Sequence, residues 1–293
     1  MRDLRGQKVL VAGGAGFVGS QLVRELLDVG AKVVVFDNFL HGTRQNLADL
    51  RDRIDLVIGD VLDEFKLLET FRAHAPRYAF SLVGDTYVPT AYDIPKRFFR
   101  VNVEGTMNLL LAAKTTGVER LVYVSSTEVY GEAVTVPMTE EHPLAPLNTY
   151  AVSKLAADRL CATFHHEHGV PVVIARIYNS YGPRETQPYL IAEIITQLDK
   201  GPVVELGNVE ARRDFTFVAD TARGLIAALA SGIPAGEAVN VGSGVTFDAR
   251  ELVARIAPLF GHASFDIRQD VRRLRRRDIQ CFHCDSTKLT TAS

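Results

Sequence analysis

Tyr150 and Lys154 lie four residues apart, a spacing that places both side chains on one face of a helix. A tyrosine is normally neutral at neutral pH, but a positive charge close by favours the phenolate. A phenolate can accept a proton from an alcohol, and Ser126 can hydrogen-bond to the same oxygen atom. Alone, each residue would more often be an ordinary structural or solvated side chain. Together they indicate the oxidation of an alcohol, provided that a hydride acceptor binds nearby.

The N-terminal segment indicates which group accepts the hydride. Gly13, Gly16 and Gly19 recur at every third residue, directly after an apolar run and at the start of a helical pattern. The first glycine permits a tight turn, the second lets the backbone approach a pyrophosphate, and the third lets the helix pack closely on a sheet. The helix N-terminus then faces the anion. The arrangement predicts a dinucleotide site, although such glycines can also serve turns and packing alone.

Two acidic residues bear on the identity of the dinucleotide. Asp37 ends the second predicted strand, where a carboxylate accepts hydrogen bonds from ribose hydroxyls and repels a 2′-phosphate. This residue favours NAD over NADP. Asp60 ends the third predicted strand, where it either binds the adenine amino group or shapes a turn.

Short apolar runs alternate with amphipathic segments along the chain, which predicts an α/β fold with a Rossmann-like, doubly wound parallel sheet. Each run is almost entirely apolar, so we expect every strand to be buried on both faces. The predicted strands are 8–11, 32–36, 55–58, 78–83, 121–124 and 172–175, and the predicted helices are 18–27, 65–73, 98–115 and 150–165.

After residue 176 this alternation loosens and turn-rich pieces become frequent. We therefore expect a dinucleotide-binding domain over 1–176, which carries the catalytic tyrosine and lysine. Residues 177–293 are expected to form mainly a smaller substrate-binding lobe, with some segments returning to the core.

The composition excludes several classes of function. The chain has 293 residues with 33 Lys and Arg against 35 Asp and Glu, so its net charge of −2 does not favour nucleic acid or an anionic membrane. The apolar run near the start of the chain, residues 9–12, is too short for a signal sequence or a membrane span. The three cysteines do not form a disulfide framework and fit a reducing compartment. We expect a cytoplasmic protein without nucleic-acid or membrane partners.

Many segments, in the same order, resemble the NAD-dependent sugar-nucleotide epimerase/dehydratase family of extended short-chain dehydrogenases/reductases. The resemblance covers nearly the whole chain and is closest to nucleotide-sugar 4,6-dehydratases, particularly those acting on N-acetylhexosamine or mannose nucleotides. It implies NAD as cofactor, a nucleotide sugar as substrate and a homodimer formed through a helix bundle. The matching segments are 13–19, 37–38 with Gly42, 60–61, 101–110, 125–131, 150–154, 176–184 and 212–220.

The resemblance also implies the residues of the site. The catalytic residues would be Tyr150, Lys154, Ser126, Thr127 and Glu128. The residues that bind NAD would be Gly13, Gly16, Phe17, Val18, Gly19, Asp37, Asn38, Gly42, Asp60, Val61, Leu82, Val83, Asn102, Tyr150 and Lys154. The substrate contacts would be Ser126, Asn179, Arg184, Arg213, Arg275 and Asp278, with Arg213 and Arg275 near the diphosphate.

Glu128 bears most on the choice of reaction. Once C4 of the sugar is a ketone, the proton at C5 is acidic, and a carboxylate can remove it as the C6 hydroxyl leaves. A 4-epimerase needs no such base. Thr127 stands where many dehydratases have an aspartic acid, and it is a poor proton donor. UDP-glucuronate decarboxylases also resemble this chain at Glu128, so decarboxylation and 4-epimerisation are the alternatives to dehydration.

Two local features depart from the expected pattern. Residues 81–84 read Ser-Leu-Val-Gly where the family usually has His-Leu-Ala-Ala, so Val83 is bulkier than the usual alanine. This departure motivates a further alternative, a non-catalytic NAD-binding regulatory protein. Cys281, His283 and Cys284 lie close in sequence, but a tetrahedral site would need another matched pair, and we expect no metal.

Overall fold

The computed structural model describes residues 2–274 and 277–293, in which strands and helices alternate along the chain. The strands are β1 (Lys8–Ala12), β2 (Lys32–Asp37), β3 (Ile54–Ile58), β4 (Tyr78–Ser81), β5 (Arg120–Ser126), β6 (Val172–Ile177), β7 (Asn179–Tyr181), β8 (Val203–Leu206), β9 (Arg212–Phe217), β10 (Ala238–Val241), β11 (Thr246–Phe247), β12 (Asp266–Gln269) and β13 (Cys281–Phe282). The helices are α1 (Phe17–Asp28), α2 (Glu64–His74), α3 (Val88–Asp93), α4 (Pro95–Phe99), α5 (Gly105–Thr116), α6 (Thr149–His168), α7 (Leu190–Leu198), α8 (Val218–Ala230), α9 (Ala249–Ile256) and α10 (Thr287–Ala292).

The central sheet contains seven parallel strands in the order β10-β6-β5-β4-β1-β2-β3. All six predicted strands belong to it, and the predicted α/β, Rossmann-like fold is confirmed. The strand order changes direction between β1 and β4, which is where ligands bind in open sheets of this kind. Strand β10 comes from the expected substrate-binding lobe and pairs with β6.

Alternate residues of the strands face opposite cores. Val9 and Val11 of β1 pack with α1 and α8, whereas Leu10 and Ala12 pack with α2, α5 and α6. Helices therefore cover both faces of the sheet, as the apolar runs predict. The prediction is wrong for β3, where Leu56 and Ile58 are exposed, because this strand is at the edge of the sheet.

Helix α6 carries the Tyr150 and Lys154 pair and has defined ends. The side chain of Asn148 accepts a hydrogen bond from the amide of Ala151 at 2.8 Å, which caps the helix N-terminus. Gly169 adopts a left-handed conformation at the C-terminus. The single helix predicted over 98–115 is instead divided, since a π-helical turn (Arg100–Glu104) separates α4 from α5.

Smaller sheets lie beyond β6. Strand β9 pairs with β7, β11 and β13, and β8 pairs with β12. Helices α7 and α9 enclose a separate apolar cluster there with Val204 and Leu206 of β8. None of the helices in the described part of the chain is both long and apolar enough to cross a membrane.

Candidate active site

The glycine turn between β1 and α1 leaves no room for larger residues. Gly13 has a φ of +82°, and a Cβ atom there would lie 3.0 Å from the carbonyl carbon of Leu82. A Cβ atom on Gly19 would lie 2.0 Å from the carbonyl oxygen of Gly13. Close backbone packing of this kind leaves the amides of the turn accessible to a pyrophosphate. The turn therefore fits a dinucleotide.

Asp37 stabilises the same turn from the end of β2. Its carboxylate accepts hydrogen bonds from the amides of Ala15 at 2.9 Å and Phe39 at 2.8 Å. Burial raises the pKa of Asp37, and these two amides partly offset the effect. Beside it, the side-chain Nδ2 of Asn38 donates to the Asp60 carboxylate at 2.9 Å. The two acidic residues chosen from the sequence thus lie at one end of the groove.

A cavity of about 1840 Å³ runs from the glycine turn to residues of the small sheets beyond β6. Pockets for one small ligand usually measure about 300–1,000 Å³, so this cavity has room for two ligands. Of the residues predicted to bind NAD, those that line it are Gly13, Gly16, Phe17, Val18, Gly19, Asp37, Asn38, Gly42, Asp60, Val61, Leu82, Val83, Tyr150 and Lys154.

Asn102 lies behind the cavity wall instead of in it. Its side chain is fully buried and donates to Ser153 at 2.8 Å. The same side chain accepts a hydrogen bond from the backbone amide of Asp85 and donates one to the Asp85 carbonyl. Because Ser153 precedes Lys154 in α6, Asn102 joins the loop after β4 to this helix. Asn102 was predicted to contact NAD, but it is not among the residues that line the cavity.

Lys154 and Tyr150 line the middle of the cavity. The amine of Lys154 donates to the carbonyl of Val124 at 2.6 Å and lies 4.6 Å from the ring centre of Tyr123. Burial lowers the pKa of Lys154 to about 8. Burial also raises the pKa of Tyr150 well above its usual range, while a hydrogen bond with Ser126 lowers it. A positive charge near the hydroxyl would favour its phenolate form.

Ser126, Thr127 and Glu128 lie together where β5 leads into a 3₁₀ turn (Thr127–Val129). The hydroxyl of Ser126 accepts a hydrogen bond from the amide of Glu128 at 3.2 Å, which starts this turn. The side chain of Asn148 donates to the Glu128 carboxylate at 3.0 Å. The Thr127 hydroxyl is buried and has no hydrogen-bond partner among the described residues. The structure thus brings all five predicted catalytic residues to one cavity.

The predicted substrate contacts divide into two groups. Arg213 donates to Asp278 at 3.1 Å, and both residues line the cavity beside the small sheets, as does Asn179. Arg184 also lines it, but its guanidinium donates to Ser20 of α1 at 3.3 Å, on the side of the glycine turn. Arg275 lies outside the described residues.

Sequence reasoning missed several polar residues of the cavity. Burial raises the pKa of Glu185 to about 7, and its carboxylate accepts from the amide of Thr186 at 2.9 Å. The Tyr189 hydroxyl lies 3.1 Å from that of Thr86. Both Glu185 and Tyr189 follow the segment 176–184, which resembles the family. Their position just after that segment was the sequence feature that could have identified them as residues of the site. No metal-binding group of three His, Cys, Asp or Glu residues occurs within 2–274 and 277–293.

Known proteins resemble the chain in sequence. A model of the NAD-dependent epimerase/dehydratase family matches residues 9–242. A dTDP-glucose 4,6-dehydratase of Actinoplanes sp. is 37% identical over 248 residues, which span 81% of this chain and 77% of that protein. UDP-glucuronic acid decarboxylase 1 of Arabidopsis thaliana is 34% identical over 230 residues, which span 75% of this chain and 51% of that protein.

Solved structures resemble the chain over nearly its whole length. A UDP-glucose 4-epimerase of Thermotoga maritima superposes with a TM-score of 0.89 at 28% identity, and the match covers 97% of this chain and 92% of that one. A dTDP-glucose 4,6-dehydratase of Streptomyces venezuelae with NAD bound gives a TM-score of 0.88 at 33% identity, and the match covers 97% and 90%. The predictions of an enzyme and of NAD as its cofactor are confirmed. The chain therefore belongs to the NAD-dependent epimerase/dehydratase family.

Proposed function

We propose that the protein is a nucleotide-sugar 4,6-dehydratase acting on a hexose or N-acetylhexosamine nucleotide. The observation that carries the proposal is the position of Glu128, which lines the cavity beside Ser126 and Tyr150 and is oriented by Asn148. A carboxylate at this place is what elimination across C5 and C6 requires. The similarity to dTDP-glucose 4,6-dehydratases supports the same reaction.

The first step is the oxidation of the C4 hydroxyl group. NAD, held along the glycine turn, would supply the hydride acceptor for C4 and the hydride donor for C6, and C5 would then take a proton from solvent. Tyr150 accepts the hydroxyl proton, while Ser126 hydrogen-bonds to the same oxygen atom. Lys154 is held in the site by the Val124 carbonyl, and its positive charge favours the phenolate form of Tyr150.

The second step is the loss of water. Glu128 removes the proton from C5 of the 4-keto sugar and passes it to the C6 hydroxyl, which leaves as water, so a double bond forms between C5 and C6. Asn148 donates to one oxygen of Glu128 and so orients the carboxylate toward the cavity. Asn148 therefore has two roles. It orients Glu128, and it caps α6 by accepting a hydrogen bond from the amide of Ala151.

Decarboxylation of a nucleotide-linked uronic acid is the second candidate, and Thr127 favours it. Loss of carbon dioxide from C5 releases no hydroxyl group, so no proton donor is needed where Thr127 stands. The similarity to a plant UDP-glucuronic acid decarboxylase supports this alternative. A 4-epimerase would leave Glu128 without a role in the reaction.

We also propose a homodimer in the cytoplasm. Met107 and Leu111 lie four residues apart on the outer face of α5, and Val152 lies on the neighbouring α6. Their exposed fractions are 38%, 40% and 41%. Two such helix pairs, one from each protomer, would bury these apolar side chains in a bundle of four helices.

Incubation of the protein with NAD and UDP-, GDP- and dTDP-linked hexoses, N-acetylhexosamines and glucuronate tests the reaction. We expect one of the neutral hexose nucleotides to lose the mass of water and to give the NMR signals of a 4-keto-6-deoxy sugar. Loss of carbon dioxide from glucuronate would instead support the decarboxylase. A product of unchanged mass with inverted configuration at C4 would contradict both the dehydratase and the decarboxylase.

Substitution of the base separates oxidation from elimination. Glu128→Gln keeps an acceptor for Asn148 but cannot remove the C5 proton, so turnover should fall by about 10²–10⁴-fold. The near-ultraviolet absorbance of reduced nicotinamide should then accumulate, and deuterium from solvent should no longer enter C5. Glu141→Gln, on an exposed carboxylate, is the matched control. Full turnover of Glu128→Gln would contradict the proposed role.

The pH dependence of stability tests the burial of Lys154. The unfolded lysine has its ordinary pKa of 10.5, whereas burial lowers the folded value to about 8. Between these values the unfolded chain binds the extra proton, so the free energy of unfolding rises with pH. Relative to Lys154→Met, the wild type should gain about 1.4 kcal/mol per pH unit in this window. Urea unfolding measures the gain, Lys114→Met is the exposed control, and a constant difference between wild type and Lys154→Met would contradict the prediction.

The oligomeric state tests the outer face of α5. Leu111→Lys places a charge among apolar side chains that the proposed dimer buries, so light scattering should show a monomer where the wild type is a dimer. Leu259→Lys, on another exposed leucine, should leave the mass unchanged. A wild-type mass equal to that of one chain would refute the dimer.

A further inference from the structure

A charged cluster lies in the cavity wall outside the residues assigned to catalysis and sugar binding. The carboxylate of Asp85 accepts a hydrogen bond from Nε2 of His41 and another from Nε of Arg97 at 2.7 Å. These three residues come from three segments, the loop after β2, the loop after β4 and helix α4. All three line the cavity.

Asp85 is the fixed member of this cluster. Its side chain is only 4% exposed, and its backbone amide donates to Asn102 at 2.9 Å. Asn102 also donates to the Asp85 carbonyl at 3.1 Å. Burial acts to raise the pKa of Asp85, but His41 and Arg97 hold it below its usual range. The backbone of Asp85 is therefore held in place by Asn102, which lies behind the cavity wall.

His41 is the exposed member, with a side chain that is 46% accessible. It precedes Gly42, where a Cβ atom would lie 2.6 Å from the carbonyl carbon of Ala15. The next residue, Thr43, donates its amide to the Ala15 carbonyl at 3.2 Å. The loop that carries His41 is thus packed directly against the glycine turn.

The contact between His41 and Asp85 passes over the end of β1, because of the order of the strands in the sheet. Strand β1 lies between β4 and β2, and it leads into the glycine turn. His41 follows β2 and Asp85 follows β4, so the two residues approach each other from opposite sides of β1. Their contact, which we call the His41–Asp85 bridge, spans the groove at the place where a pyrophosphate would lie on the turn.

We propose that the His41–Asp85 bridge closes over bound NAD and slows both its entry and its release. Such retention suits a reaction in which NAD is regenerated in every cycle and need not leave. Arg97 and Asn102 act as positioning residues, because they hold Asp85 in place. The proposal concerns the cofactor alone and does not depend on which sugar the enzyme converts.

The rates of cofactor exchange test the bridge. The protein is mixed with NADH to follow association by nicotinamide fluorescence, and the NADH complex is mixed with excess NAD to follow dissociation. His41→Gln should raise both rates by at least about fivefold, the factor that corresponds to roughly 1 kcal/mol for one hydrogen bond. Because both rates rise, the dissociation constant should change less than either rate.

Control variants separate the bridge from other effects. His166→Gln, on an exposed histidine of α6, should leave both rates unchanged. Asp85→Asn should act like His41→Gln, and the double variant should show no further increase, since both substitutions remove one interaction. If Asp85→Asn fails to fold, His41→Gln carries the test alone, because its side chain is half-exposed.

Three outcomes would overturn the proposal. Unchanged rates in His41→Gln would show that the bridge does not limit exchange. A rise in the dissociation rate alone would show that His41 contacts the cofactor directly. Effects that multiply in the double variant would show that His41 and Asp85 act independently.

Discussion

The buried ion pair between Asp158 and Arg176 holds the catalytic helix against the central sheet, and the geometry of the site depends on it. Asp158 lies one turn beyond Lys154 in α6, and its carboxylate accepts from Nε of Arg176 in β6 at 2.9 Å. Neither side chain is more than 2% exposed. Removing one partner of such a pair typically costs about 3–5 kcal/mol, because the other charge stays buried. Ser125 donates to the same carboxylate at 3.0 Å, so the strand that carries Ser126 is tied to the helix that carries Tyr150.

The two halves of the reaction site are held by different means. Tyr150 and Lys154 depend on this polar network and on the Val124 carbonyl, all within the sheet and its covering helix. The cofactor side depends on backbone contacts, in which Gly13 and Gly19 approach neighbouring main-chain atoms too closely for any side chain. Under the proposed mechanism, the first half serves proton transfer and the second serves cofactor binding.

The sequence was sufficient for the parts of the structure that local patterns determine. The apolar runs predicted the six strands from β1 to β6, and the glycine spacing predicted the turn after β1. Contacts between residues far apart in the sequence could not be predicted from these local patterns. The exposure of β3 follows from its place at the edge of the sheet, and the approach of His41 to Asp85 follows from strand order. The π-helical turn at Arg100–Glu104 interrupts an apolar period that reads as one helix.

The choice among the reactions of this family rests on a very small part of the chain. In the proposed mechanism, Tyr150, Lys154 and NAD carry out the oxidation at C4, a step that dehydration, decarboxylation and epimerisation share. Ser126, Thr127 and Glu128 occupy the end of β5 and a single 3₁₀ turn whose backbone is held by the Ser126 hydroxyl. Replacing Thr127 or Glu128 leaves that backbone contact intact. The reaction can therefore change through side chains at this turn while the sheet and the catalytic helix keep their geometry.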